Sequence, residues 1–181
     1  MHTVQARRHP QTGNTVISVR PITPLEWSTY RDLRLRALSD APDAFGSTYA
    51  AEVSRTDEAW AERIAGATSS GKDQVFFALH GDHACGLVWC KQSAAEPGMA
   101  DLYQMWVAPE ARGLGAGQAL LQAALAWARQ TGMRHVRLGV TAADSPAMRL
   151  YRAQGFVPAG PLEPLREDSL LMAQAMALKL A

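Results

Sequence analysis

Between a β-rich run, Ala100 to Val107, and a long apolar helix pattern beginning at Gln118 lies the segment Arg112-Gly113-Leu114-Gly115-Ala116-Gly117, with three alternating glycines. No other feature restricts the fold as much. Glycine turns a chain through conformations closed to other residues and lets a ligand's oxygens approach the backbone. Successive N–H groups at the start of a helix, reinforced by the helix dipole, form an anion site. Arg112 adds a fixed cation at its edge. The spacing excludes two nucleotide motifs. A dinucleotide fingerprint needs Gly-x-Gly-x-x-Gly in the first strand–helix unit, whereas here the third glycine comes one residue early and the loop lies past position 110. A P-loop needs Gly-Lys-Ser/Thr, and Gly117 is followed by Gln118. Taken by itself, the loop places an anion near a helix start; a glycine-rich connection without a ligand has the same local pattern.

The flanking sequence supplies the fold class. Residues 1–15 are polar and aperiodic and read as a loose arm; residues 16–181 read as one domain. Val16 to Arg20 is a short strand closed by Pro21, and Thr23-Pro24 opens a helix with a hydroxyl cap and a proline at its first position. Trp27, Tyr30, Leu33, Leu35 and Leu38 follow at helical spacings. Thr56 and Asp57 cap a second helix ending near Gly66. Gln74 to Leu79 and Ala84 to Lys91 read as a hairpin, and Ala100 to Val107 as a third strand ended by Pro109. The helix from Gln118 to about Gln130 has a wide apolar stripe and one charge, Arg129, so it should pack on more than one side. His135 to Val140 is a strand, Asp144-Ser145-Pro146 caps a short helix reaching Gly155, Phe156-Val157 is extended, and Ser169 to Leu180 is the last strand, although its alanines and methionines also permit a helix. The order β-α-α-β-β-β-α-β-α-β-β implies an α/β fold: a mixed sheet with helices on both faces and a helical crossover into the strand at His135.

Bulk properties remove several classes of function. In 181 residues, 48% are hydrophobic and 19% charged, an ordinary globular balance. A net charge of +1 argues against a nucleic-acid surface, which needs a visible excess of Lys and Arg. No stretch reaches the roughly 18 apolar residues of a membrane helix. Arg7-Arg8 is followed by no apolar core of a secretion signal, so a cytoplasmic location is expected. Cys85 and Cys90, five apart in one strand, should point to opposite faces and stay unpaired. The five histidines show no metal-ligand spacing, and no metal is expected.

Two motifs together resemble the GNAT superfamily of N-acetyltransferases. The family's Arg/Gln-x-x-Gly-x-Gly/Ala is matched by Arg112, Gly115 and Gly117, and Met105 to Pro109 is similar to its strand end and splayed bend. Ala147-Met148-Arg149-Leu150-Tyr151-Arg152-Ala153-Gln154-Gly155-Phe156 is similar to its second signature, in which Leu-Tyr precedes Gly-Phe. The match is at motif level from about 100 to 156 and follows element order over 16–181. It implies a single-domain acyl-CoA N-acyltransferase fold with splayed central strands and acetyl-CoA as co-substrate. It also implies direct attack of an amine on the thioester within a ternary complex, without an acyl-enzyme. The pantetheine arm would run along Met105, Trp106 and Val107 like an added strand, and the N–H near Val107 would polarise the thioester carbonyl. The pyrophosphate would take backbone amides from Gly113, Leu114, Gly115, Ala116, Gly117 and Gln118, beside Arg112. Ala147 and Tyr151 would border the coenzyme, with the Tyr151 phenol protonating the departing thiolate. Asp144 stands where the family often has Asn; it accepts a hydrogen bond but cannot donate one as an amide does.

The acceptor is less defined. Strand parity puts Asp101 and Tyr103 on the face of Met105 and Val107, making them base candidates beside Glu110. The resemblance places the acceptor side in the first two helices and their loop, where Arg34, Arg36, Phe45 and Tyr49 stand out. Arg-rich helix faces are most often solvated, but an arginine fork also matches a carboxylate or phosphate. The expected partner is a small-molecule amine; a protein N-terminus or lysine, or a silent acyl-CoA sensor, are the alternatives. The apolar final segment could serve as a homodimer edge.

Overall fold

The computed structural model describes residues 16–181; the expected N-terminal arm lies outside the described residues. Seven strands form one sheet in the order β1-β2-β3-β4-β5-β7-β6. These are β1 Ile17–Pro21, β2 Asp73–His80, β3 His83–Gln92, β4 Met99–Val107, β5 His135–Thr141, β6 Val157–Pro164 and β7 Met172–Lys179. The helices are α1 Trp27–Asp40, α2 Tyr49–Val53, α3 Asp57–Ser69, α4 Ala116–Gln130 and α5 Pro146–Ala153. The expected order is present, with α2 as an extra turn of helix that the sequence pattern does not announce. β7 is a strand, because its alanines and methionines pair along β5 and β6 on both sides. Three boundaries shift. Pro24–Glu26 is a 3-10 turn ahead of α1, α3 runs through Gly66, and β6 extends to Pro164.

β4 and β5 are parallel and joined by α4, the crossover the element order predicts. α4 lies on one face: a Cβ added at Gly86 of β3 would stand 3.2 Å from Leu120. That same Cβ would meet the Trp106 carbonyl at 2.8 Å, so only glycine lets β3 and β4 approach this closely. On the other face, Tyr30 of α1 meets Trp60 of α3 and Trp89 of β3 edge-on, with centroids 5.9 and 5.8 Å apart. Gly86 and Trp89 have opposite parity along β3, which puts α4 and the α1–α3 pair on opposite sides of the sheet. Leu120, Leu121, Ala124, Leu125 and Ala128 are all buried, so the apolar stripe of α4 forms the core on its side of the sheet. Each leucine there contributes about 2 kcal/mol by leaving water. Cys85 and Cys90 are both buried free thiols, and burial pushes the Cys90 thiol up to about 12.

Candidate functional site

β4 and β5 pair only from Met99↔His135 to Leu102↔Leu138. Beyond that point the strands part, while β4 stays bonded to β3 at Trp106↔Leu87 and Val107↔Gly86. The far half of β4 therefore presents one unpaired backbone edge to the opening. Met105, Trp106 and Val107 line one wall of the resulting cleft, and Gly139, Val140 and Thr141 line the other. Its volume is about 1720 Å³. Room and free edge coincide here because the strands diverge.

A bulge shapes the middle of β4. Leu87↔Trp106 and Trp89↔Tyr103 set two steps on β3 against three on β4, so β4 carries one extra residue. Gln104 absorbs it with φ 59°, a left-handed conformation uncommon outside glycine. The Tyr30 hydroxyl anchors the bulge by donating to Gln104 Oε1 at 2.6 Å. The extra residue overturns the expected strand parity. Asp101 and Tyr103 share the face of Trp89 and Trp106, whereas the Met105 and Val107 side chains reach toward Gly117 of α4, at 4.0 and 3.9 Å from an added Cβ. Asp101 pairs with Arg137 at 2.7 Å, and Glu110 makes a two-pronged pair with Arg36 at 2.7 and 2.8 Å that draws its carboxyl down to about 2. Neither lines the cleft; Tyr103 does, half-exposed, with its phenol pushed above its ordinary value by burial and by Asp101.

The glycine loop closes one end of the cleft. Pro109–Ala111 forms a 3-10 turn, after which Gly113 (φ 76°) and Gly115 (φ 85°) both take left-handed backbone. Nothing lies within 4 Å of a Cβ added at either, so the backbone angle, not crowding, requires glycine. Gly115 is the N-cap of α4 and provides no side-chain cap. The first backbone bond at this end runs from Ala119 N–H to Gly115 C=O at 3.0 Å, leaving the N–H groups of residues 116–118 without a backbone partner among the described residues. Arg112, Gly113, Gly115, Ala116 and Gly117 line the cleft; Leu114 and Gln118 are exposed and do not line it. Arg112 is tied by its Nε to the Val107 carbonyl at 3.0 Å and by Nη2 to Asp40 at the end of α1. Asp40 also accepts from the Trp106 indole at 2.9 Å, and that bond followed by Arg112 holds its carboxyl below the usual range. Asp40 thus clamps α1, the end of β4 and the loop into one unit.

On the opposite wall, Ser145 caps α5 by accepting from Met148 N–H at 3.1 Å. Ala147, Leu150 and Tyr151 line the cleft. Tyr151 is only 6% exposed, packs against Phe156 at 5.8 Å, and its phenol is pushed above its ordinary value by burial alone. Asp144 is exposed, pairs with Arg149 at 2.8 Å and borders a separate small pocket instead of the cleft. The cleft brings together most of the residues expected at the coenzyme; Leu114, Gln118 and Asp144 do not line it, although the Gln118 N–H is one of the amides left open at the start of α4 among the described residues. It adds Asp40, Gln104, Arg63 and the β5 residues Gly139 to Thr141, none of which belongs to a recognisable short motif.

Residues 27–156 match the model of the Acetyltransferase (GNAT) family. The chain belongs to the GNAT acetyltransferase family. Curated relatives include the mycothiol acetyltransferases of Acidothermus cellulolyticus, 30% identical over 68% of this chain, and of Thermobispora bispora, 34% identical over 68%. This GNAT chain spans 39% and 40% of the length of those two relatives. Among solved structures, a GNAT acetyltransferase from Streptococcus pneumoniae superposes with a TM-score of 0.77 at 20% identity, covering 91% of this chain and 99% of that one. Spermidine N-acetyltransferase from Vibrio cholerae, solved with CoA and spermine, gives 0.74 at 18% identity, covering 92% and 96%. These likenesses establish the GNAT fold.

Proposed function

We propose that this protein transfers an acetyl group from acetyl-CoA to a primary amine on a small molecule. The observation that carries the reading is the parted β4–β5 pair ending in a helix start whose N–H groups are unbonded, an open strand edge leading to an anion site. The residues fit the coenzyme. An extended amide-bearing arm can pair with the free edge of Met105 to Val107, and a pyrophosphate matches the amides at the start of α4. Acetyl-CoA supplies an activated acyl group with a thiolate leaving group.

This chain's own residues then do three things. The Val107 region aims a backbone N–H at the developing oxyanion of the thioester carbonyl, in a geometry fixed beforehand by the β3 pairing. The cleft walls hold the amine for attack on that carbon, which spares the entropy of a chance encounter. As the C–N bond forms and the C–S bond breaks, the Tyr151 hydroxyl delivers its proton to the departing sulfur, and the proton shed by the amine nitrogen passes through solvent to restore the phenol. Its phenol, pushed above its ordinary value by burial, is protonated at neutral pH and holds the proton to be delivered.

The small-molecule reading is supported by the curated relatives named as mycothiol acetyltransferases. The test is thiol release from acetyl-CoA by the purified protein across amino acids, polyamines, aminoglycosides and peptides. At least one small amine should give release dependent on both protein and amine. No release with any amine in the panel, while acetyl-CoA still raises the melting temperature, would make the protein a silent acyl-CoA sensor instead.

A further inference from the structure

The half of the cleft away from the glycine loop contains a buried arginine with no hydrogen-bond partner among the described residues. Arg34 sits on α1 among core residues, 2% exposed, where a surface helix would carry an apolar side chain. Its guanidinium lies over the Phe45 ring at 4.8 Å, and Nε and Nη1 are closed off from solvent with no hydrogen-bond partner among the described residues. Arginine cannot shed its proton to relieve this, so it remains a charged group in a poorly solvated place. The residue nonetheless reaches the wall of the cleft.

Its surroundings repeat the same sign. Arg63 of α3 lines the cleft beside it, stacked on Trp89 at 5.3 Å. The buried carboxylate nearby, Glu52, is occupied by Arg55 at 3.0 Å and Arg63 at 3.3 Å and makes no hydrogen bond to Arg34. Gln104 faces the same space; because its Oε1 takes the Tyr30 proton, its amide NH₂ is left to donate. Three groups that only donate here therefore converge on one part of the acceptor half. The acids on this wall are placed otherwise: Asp73 accepts from the Trp89 indole at 2.8 Å and from Ser70, and Glu62 and Asp43 are exposed at the rim.

We propose that this donor cluster binds a carboxylate on the acceptor, with Arg34 as the specificity-determining residue and Arg63 and Gln104 beside it, so that the acceptor is an amine carrying a carboxylate, such as an amino acid. Nη2, the one guanidinium nitrogen of Arg34 that is not closed off, can donate to a carboxylate oxygen with the full charge of the guanidinium behind it. Binding would also give the buried charge the counter-ion the fold withholds. This rests on the acetyl-transfer reading and narrows its substrate class.

The experiment compares kcat/KM for matched amines: an amino acid, its carboxamide, the aminoalkyl phosphate of the same length, and a polyamine, in the wild type and in Arg34→Met and Arg63→Gln. The wild type should prefer the carboxylate over its carboxamide by at least about 100-fold, as expected when a site built to pair a group meets an analogue lacking it. Arg34→Met should bring that ratio close to one, and Arg63→Gln should reduce it by a smaller factor. Replacing an unpaired buried charge by an apolar chain of similar length should leave the melting temperature unchanged or raise it. A large fall in melting temperature, a wild-type ratio near one, or preference for the phosphate or the polyamine would overturn the assignment. Amine-dependent thiol release with any of these compounds keeps the acetyl-transfer reading standing when the carboxylate assignment fails. Absence of release with every amine defeats both.

Discussion

The two halves of the cleft are built from different material. The end proposed to hold the coenzyme is made mostly of backbone: an unpaired strand edge at Met105 to Val107, two left-handed glycines and the open N–H groups of α4. The end proposed to hold the acceptor is made of side chains that arrive from distant points: Arg34 on α1, Arg63 on α3, Phe45 on the loop between, and Gln104 on the β4 bulge. Backbone donors need particular φ angles, which glycine spacing writes into a short stretch of sequence. A side-chain pocket is specified by packing and leaves no local spacing. One half can stay fixed while the other varies its substrate, because few residues serve both.

Tyr151 is the main exception, a side chain contributed to the backbone-built half, and its loss should have the largest effect. Tyr151→Phe keeps the packing against Phe156 but removes the proton donor. It should lower kcat by about 10²–10⁴-fold, the usual range for a general acid, while calorimetry shows acetyl-CoA binding as in the wild type. Unchanged turnover would remove Tyr151 from the chemistry.

A smaller effect is expected at the joint between the halves. Asp40 holds both the Trp106 indole and the Arg112 guanidinium. Asp40→Asn weakens both bonds and should cost about 1 kcal/mol in urea unfolding, discounted because the pair is partly exposed. The loop should loosen with it, raising the KM for acetyl-CoA several-fold. The pH dependence has a definite sign. A carboxyl held below its ordinary value in the fold contributes stability above the unfolded pKa of about 4, and loses it as pH falls through the folded value. The gap in urea midpoint between wild type and Asp40→Asn should therefore shrink as pH is taken from 7 to below 4. A gap that is constant or widens would mean the clamp contributes nothing through its charge.

What the sequence made legible follows the same division. The strand–loop–helix unit around Gly113, Gly115 and Gly117 and the pair Tyr151 and Phe156 could be read directly, since each depends on local backbone or helical spacing. The fold class and the β4–α4–β5 crossover followed from element order. The parity of Asp101 and Tyr103 could not be read, because one inserted residue at Gln104 reverses it and Gln104 is no turn residue. Nor could the burial of Arg34: its place in Arg31 to Arg36 looks like a charged face, and only the packing of Phe45 and α3 over it makes it part of the core. Asp40 carried no signal either, as its partners are 66 and 72 residues away.

The most direct test of the backbone-built half is calorimetric titration of acetyl-CoA into the wild type and into Gly115→Val. A β-branched residue is strongly disfavoured at φ 85°, and the open space around it means nothing else need clash. The account predicts one-to-one binding by the wild type and about five- to thirtyfold weaker binding by the variant, from the roughly 1–2 kcal/mol that left-handed backbone costs. Equal affinity in the two proteins, or no binding by the wild type, would contradict it.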